Sequence, residues 1–442
     1  MRQRTAALWI VWLLFTAVTG VALALQLTQG ENRSLFLIGE TTSGHYQIEM
    51  ACEACHSEPF GGREVLQEAC RNCHAEELEL ADDSHPKSKF TDPRNADRVA
   101  ILDARYCVTC HREHRPKLTE AMGVTLPEDY CFYCHRDIGE ERPSHADLGF
   151  DTCASAGCHN FHDNRALYED FLISHAHQAA LVAPSKVPAL SGYAMIDRAE
   201  ADPLSAADIQ APEEARPSDV VMAWEHSAHA RAGVGCQDCH QPRPGQDWDA
   251  RPETTVCADC HQPQFETWQS GKHGMRTAHD LTPMRPAWAR LPMRPEAFDQ
   301  DLSCASCHGP HAVDTRRAAI EGCLNCHADD HSLAFEDSPH FRLWQLETEG
   351  SADPRTGVSC ATCHLPREQS ASHGHAVVIA NHNQNANLRP NEKMLRSVCM
   401  SCHGLGFAMD ALADEELIRR NFKGQPTKQL TSIEMALQRQ SD

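Results

Sequence analysis

Tyrosine disappears from this 442-residue chain after Tyr193, and only 6% of all residues are aromatic. A polypeptide of this length normally fills its interior with Phe, Trp and Leu, so the shortage means that other apolar material builds the core. Basic residues are scarce as well: 40 Lys and Arg stand against 62 Asp and Glu, a formal net charge of −22. Such a surface repels nucleic acid and steers basic partners, besides keeping the chain soluble. No second long apolar run follows the one that ends at Leu25, which excludes a polytopic membrane protein. Alternating strand patterns are also scarce. The expected fold is mostly α, short helices joined by Pro- and Gly-containing loops, with extensive irregular coil and little β.

Cysteine, by contrast, is abundant: there are 22. Ten pairs stand in Cys-x-x-Cys-His: Cys52, Cys55 with His56; Cys70, Cys73 with His74; Cys107, Cys110 with His111; Cys131, Cys134 with His135; Cys236, Cys239 with His240; Cys257, Cys260 with His261; Cys304, Cys307 with His308; Cys323, Cys326 with His327; Cys360, Cys363 with His364; Cys399, Cys402 with His403. The remaining two, Cys153 and Cys158, lie in "CASAGCH" and are followed at once by His159. No thiol is left for a disulfide or a free nucleophile.

Cys-x-x-Cys-His is the attachment signature of c-type haem. The thiols add across the porphyrin vinyl groups and the adjacent imidazole becomes an axial iron ligand. One turn of backbone sets both sulfurs along one porphyrin edge with the histidine beneath the iron. In "CASAGCH" the spacer Ala154, Ser155, Ala156 and Gly157 is small enough to bulge outward and keep the three end points, so this is an eleventh copy. Zinc competes for a single such motif, and a redox dithiol would need one near a βαβ pattern. Eleven copies with no remainder favour eleven covalently attached haems c. About 40 residues per haem leave the cofactors themselves as the core.

Arg2 and Arg4 precede an uncharged run from Ala6 to Leu25. Its length suits an inner-membrane anchor with the arginines on the cytoplasmic side. A cleaved secretory signal is the competitor, with Ala22-Leu23-Ala24 as a small-residue site. Either reading delivers the rest to the periplasm, where bacterial c-type haem is attached.

Successive motifs are closely spaced except between Cys153 and Cys236, where residues 183 to 219 are rich in Ala, Pro and acids. The expected domains are an N-terminal anchor or signal (1–30), a pentahaem part (31–182), an acidic linker (183–220), a hexahaem part (221–410) and a C-terminal helix and tail (411–442). The later part repeats. Haem pairs start at Cys236, Cys304 and Cys360, their leading motifs continuing "CHQP", "CHGP" and "CHLP". Serine–histidine elements precede each pair at His229, His273 and His340, with similar ones earlier at His45, His85 and His145. Residues 407 to 422 have the apolar spacing of one amphipathic helix.

Seventeen histidines lie outside the motifs. His114, His162, His311 and His331 follow a motif within a few positions. Such a histidine lies about one turn away and cannot easily reach over its own porphyrin, but can ligate a neighbouring one and so clamp two haems together. With His45, His85, His145, His229, His273, His340 and His373 they give eleven candidates for eleven irons, a second imidazole for each. His175, His177, His226, His279, His375 and His382 are reserves, His175 and His382 first among them. Methionine is an alternative axial ligand.

The first half, with its dense motifs, the wider "CASAGCH" and the "CHREH" and "CHNFH" extensions, resembles the class III low-potential cytochromes. That resemblance implies bis-histidine haems and working sites with longer spacers. Residues 221 to 410 resemble the hydroxylamine oxidoreductase and cytochrome c nitrite reductase superfamily at "FETWQSGKHG", "CHADDHSLAFEDSPH" and "GVSCATCHLP". The nitrite reductases replace one motif histidine with lysine, and both groups use an active-site tyrosine. Here every motif ends in His and the second half has no tyrosine.

Two functions are therefore weighed. The first is electron transfer along closely spaced haems, between a quinol-linked membrane donor and a periplasmic or outer-membrane acceptor. The second is oxidoreduction of a small nitrogen or sulfur compound such as nitrite, hydroxylamine or tetrathionate, at one open iron in the second half. There a surplus histidine would donate protons. Spin state separates them.

Overall fold

A computed structural model of the chain describes residues 2–29, 33–58, 61–81, 83–119, 121–153, 161–162, 168–182, 187–190, 202–243, 245–372, 375–388 and 393–441. The principal helices are α1 (Arg2–Gln29), α2 (Arg63–Ala81), α3 (Glu169–His175), α4 (Ser218–Glu225), α5 (Thr255–Ser270), α6 (Pro339–Thr348), α7 (Leu405–Ala413), α8 (Glu415–Arg419) and α9 (Ser432–Ser441). Single helical turns and 3-10 turns join them. The one sheet among the described residues is an antiparallel hairpin, β1 (Arg367–Ser372) against β2 (His375–Ala380), with Arg367 opposite Ala380. The chain is thus mostly helix and coil with one minor hairpin. α1 is long and apolar enough over Thr5–Thr28 to cross a membrane, its mean hydropathy 2.3, a measure that a signal sequence also meets.

The Cys70 and Cys257 motifs lie within α2 and α5, whereas others, such as those at Cys52, Cys107 and Cys304, fold as single helical turns that close on themselves. The amide of the motif histidine donates to the carbonyl of the first cysteine: His56 to Cys52 at 2.8 Å, His111 to Cys107 at 2.8 Å, His327 to Cys323 at 2.9 Å. This i to i−4 bond puts the first sulfur and the imidazole on one face. Turns this short do not persist on propensity alone. Caps and bridges hold them: Ser359 accepts from the Thr362 amide, and Met293 bridges His327 as Leu181 bridges His403.

The chain divides into two compact units. One comprises Met1–Ala75 and Pro86–Tyr133, the other Glu76–His85 and Cys134–Asp442. In the first, Tyr106 is covered by the Arg63 guanidinium at 4.6 Å and bonds Glu64. In the second, a conventional hydrophobic cluster gathers Leu172 of α3, Met394, Leu395, four residues of α7 (Leu405, Ala408, Met409 and Leu412), and Ile433 and Ala436 of α9. Among the described residues only Ile379, Leu395 and Leu405 are large side chains fully enclosed. Burying three such side chains contributes on the order of 6 kcal/mol, far too little to order several hundred residues.

The apolar stretch 407–422 is two helices rather than one. Asp414 has an extended backbone and accepts from the Leu417 amide at 3.0 Å, which ends α7 and caps α8. Asn421 and Phe422 then adopt positive φ and end the stretch. In the region 183–220, the carbonyls of Val187 and Pro188 accept from Arg355 and Arg367, and the Leu204 amide bonds the Ala230 carbonyl.

Candidate functional site

Three of the local elements that present non-motif histidines share one construction. Ser227 accepts from the Ala230 amide and caps the turn bearing His229. Ser338 accepts from Phe341 and, with Pro339 in the first position, starts α6 with His340. Asp329 accepts from Ser332 and caps the turn bearing His331. Each cap fixes the first turn and with it the direction of the imidazole. His273 follows the end of α5 instead, in "SGKHG", where backbone approach demands glycine. A Cβ on Gly271 would stand 2.7 Å from the His382 carbonyl, and one on Gly274 2.5 Å from the Trp268 ring.

Motif and non-motif imidazoles meet in pairs. In the first unit His74 faces His45, ring centres 5.9 Å apart. In the second, His135 faces His85 at 6.2 Å, His240 faces His311 at 6.0 Å, His261 faces His229 at 6.2 Å and His308 faces His382 at 6.3 Å. His327 faces His273 at 6.3 Å, His364 faces His331 at 6.0 Å and His403 faces His340 at 6.2 Å. Every pair joins one motif histidine to one from outside the motifs. Directly stacked aromatics beside them are closer: His240 on Trp248 at 4.7 Å, His403 on Phe407 at 4.9 Å.

This spacing suits a group held between the rings. Two imidazoles that held one metal ion between their Nε2 atoms, with metal–nitrogen bonds of about 2.0 Å and ring centres about 1.1 Å beyond, would stand about 6.2 Å apart. The other ring nitrogen is engaged as ligation requires. Nδ1 faces the Asp249 carbonyl in His240 (2.6 Å), Phe161 in His85 (2.7 Å), Ile418 in His331 (2.5 Å), Ala380 in His382 (2.9 Å) and Ala180 in His403 (3.0 Å). In His45, Nδ1 meets the Glu113 carboxylate at 2.7 Å. A carbonyl acceptor makes Nδ1 the donor and leaves Nε2 with its lone pair, which in His331 lies 3.4 Å from the Asn421 side-chain amide. Burial, and then the neighbouring His327 and His382, push the His273 imidazole down to about 4; burial first does the same for His340, His364 and His382. All four stay neutral at pH 7, the form that ligates. A zinc site would gather its ligands at one point, and among the described residues no three His, Cys, Asp or Glu converge so.

The other candidates are placed as follows. His114 has positive φ, and its Nδ1 faces the Gly39 carbonyl at 2.7 Å. His145 lies 3.0 Å from the Ser144 hydroxyl, His162 3.1 Å from Asp83, and His111 3.2 Å from the Gly123 carbonyl. His56 faces no second imidazole among the described residues. Cys158, His159 and His373 lie outside them. The ring opposite His308 belongs to His382, a reserve on sequence grounds; His375 is described only in its backbone. Sequence reasoning missed the acceptors that orient the rings. Of these Glu113 alone left a signal, standing inside "CHREH".

The thiols of successive motifs adjoin. Cys70 hydrogen-bonds Cys107, Cys257 bonds Cys304, and Cys323 bonds Cys360. Cys239 lies beside Cys257 and Cys260, Cys307 beside Cys323 and Cys326, and Cys363 beside Cys399 and Cys402. Burial pushes the Cys307, Cys363 and Cys399 thiols up to about 12. In the second unit the six motifs from Cys236 to Cys399 therefore follow one another in space as in sequence.

Paired imidazoles and paired thiols of this kind define a covalent haem protein with many centres. Two family models match the chain: cytochrome c3 over residues 44–136 and the class III cytochrome C family over residues 204–327. Each stretch contains four of the cysteine motifs. No curated protein and no solved structure matches. The chain is a multihaem c-type cytochrome, an electron-transfer protein with covalently bound haem c.

Proposed function

We propose that the chain carries eleven haems c, each ligated by two histidines, and conducts electrons through the periplasm. The donor is a quinol-linked membrane component and the acceptor a periplasmic or outer-membrane redox protein. The motif cysteines and histidines hold the porphyrins, His159 with Cys153 and Cys158 included. His45, His85, His229, His273, His311, His331, His340 and His382 supply second ligands, with His114, His145 and His162 for the remaining irons. The haem iron contributes the one-electron chemistry. Residues 31–182 form the five-haem part and 221–410 the six-haem part, flanking the stretch 183–220.

One observation carries the reading: each of the six motif histidines from His240 to His403 faces a second imidazole. A substrate reductase in this half needs an iron with a free position, and paired imidazoles leave none. The protein's part is to fix both ligands so that geometry barely changes between ferric and ferrous. Adjoining thiols keep neighbouring porphyrins close enough for tunnelling.

Electron paramagnetic resonance of the oxidised, fully haem-loaded protein tests this. Only low-spin ferric signals are expected, with eleven porphyrin additions by intact mass. A substantial high-spin signal that shifts on adding nitrite or hydroxylamine would overturn it.

A further inference from the structure

Two segments of the first unit expose large apolar side chains, one of them following α1 closely in the chain. Leu35 and Ile38, a few residues beyond Gln29, are 78% and 88% exposed; Leu118 and Met122 are 61% and 47% exposed. The segments lie against each other. The Thr42 amide and hydroxyl donate to the Glu113 carboxylate at 2.7 and 2.9 Å, and a Cβ on Gly39 would stand 2.9 Å from the His114 carbonyl. Positive φ at Met122 and Gly123 turns the second segment sharply where Met122 is presented.

The same face is cationic in a chain of net charge −22. Arg112, Arg115 and Lys117 are exposed and form no ion pair among the described residues. Of the acids, Glu113 is turned onto His45 and Thr42, Glu40 remains exposed, and Glu120 lies outside the described residues. Exposed aliphatic side chains among Arg and Lys are what an anionic bilayer surface accepts: the apolar groups enter below the phosphates and the cations pair with them. An acidic protein would account for the cations but not for two nearly bare aliphatic side chains so close to an apolar helix.

We propose that this face rests on anionic phospholipid headgroups of the membrane that α1 enters. The inference builds on the membrane-linked donor of the preceding section and locates where it delivers electrons. The same two segments hold His45, bonded to Glu113, and His111, bonded to the Gly123 carbonyl. The haem sites nearest the lipid are therefore those of His74 and His111.

Hydrogen–deuterium exchange tests it on the full-length, haem-loaded protein in vesicles of phosphatidylcholine, with and without phosphatidylglycerol. In the anionic vesicles, amides of 33–42 and 112–123 are expected to exchange about tenfold more slowly than in the neutral ones. Arg115→Glu with Lys117→Glu removes the difference. Equal exchange in both vesicle types overturns the proposal. So does loss of haem mass or a Soret shift in Leu35→Glu with Ile38→Glu, because those side chains would then be covering porphyrin. Haem count and spin state, read on the same samples, report separately on the electron-carrier reading.

Discussion

His331 faces His364 across 6.0 Å, whereas the histidine of its own motif, His327, faces His273. His311 behaves alike: it faces His240 while its own motif's His308 faces His382. Neither histidine faces the ring of the motif it follows: His331 reaches the next motif in the chain, and His311 reaches the one two before its own. Each such residue ties two sites together through a few backbone bonds.

His331→Ala removes one imidazole from the site of Cys360, Cys363 and His364. One haem is expected to turn high-spin and to bind carbon monoxide when reduced, with the others unchanged. Free imidazole restores the low-spin spectrum. Absorbance and electron paramagnetic resonance of the purified variant check this; an unaltered spectrum rules out His331 as a ligand.

His382 and His373 make a discriminating pair. His382→Ala is expected to convert one haem, that of Cys304, Cys307 and His308, to high spin. His373→Ala leaves the spectrum as it was. The reverse result would return the ligand to His373.

Glu113 bonds His45 through Nδ1. Desolvation works to raise this carboxyl, yet hydrogen bonds from His45 and Thr42 prevail and hold it down at about 2, so it is charged at neutral pH. A carboxylate on Nδ1 makes the imidazole a stronger donor and favours ferric iron. Glu113→Gln should raise the potential of the haem between His45 and His74 by tens of millivolts, about 60 mV corresponding to a tenfold change for one electron. Spectroelectrochemical titration reads the shift; an unchanged or lowered potential contradicts the assignment.

Asp414 is held at about 2 by the Thr427 amide and hydroxyl and by the Leu417 amide. Because its folded value lies below the ordinary 3.8, its contribution is complete above that pH and drains away as pH falls through about 2. Asp414→Asn is expected to melt below the parent at pH 7, with the two curves converging toward pH 2. Calorimetry across that range decides, and a gap independent of pH excludes the charge.

The attachment sites were legible because covalent chemistry writes itself as Cys-x-x-Cys-His, and no tertiary contact is needed to see it. His229 and His340 were legible through serine, since a helix cap leaves a residue signature and places the ring in the first turn. His382 was not. It follows β2, a strand that the sequence pattern did not announce, and its amide is tied to Thr267 in α5. Carbonyl acceptors such as Ala180 and Ile418 carry no side-chain signature, so the orientation of His403 and His331 could be learned only from the folded chain.

The facing of His240 by His311 has a bearing on biogenesis. With the proposed ligation, the Cys236 motif would emerge well before His311, so an iron held there would stay half-coordinated until the stretch beyond Cys307 had followed. The sites at Cys304 and Cys360 would wait in the same way for His382 and for the Ile418 carbonyl that orients His331. Maturation of the second unit would then be vectorial, and a nonsense codon late in the reading frame would disable haem sites far upstream of it.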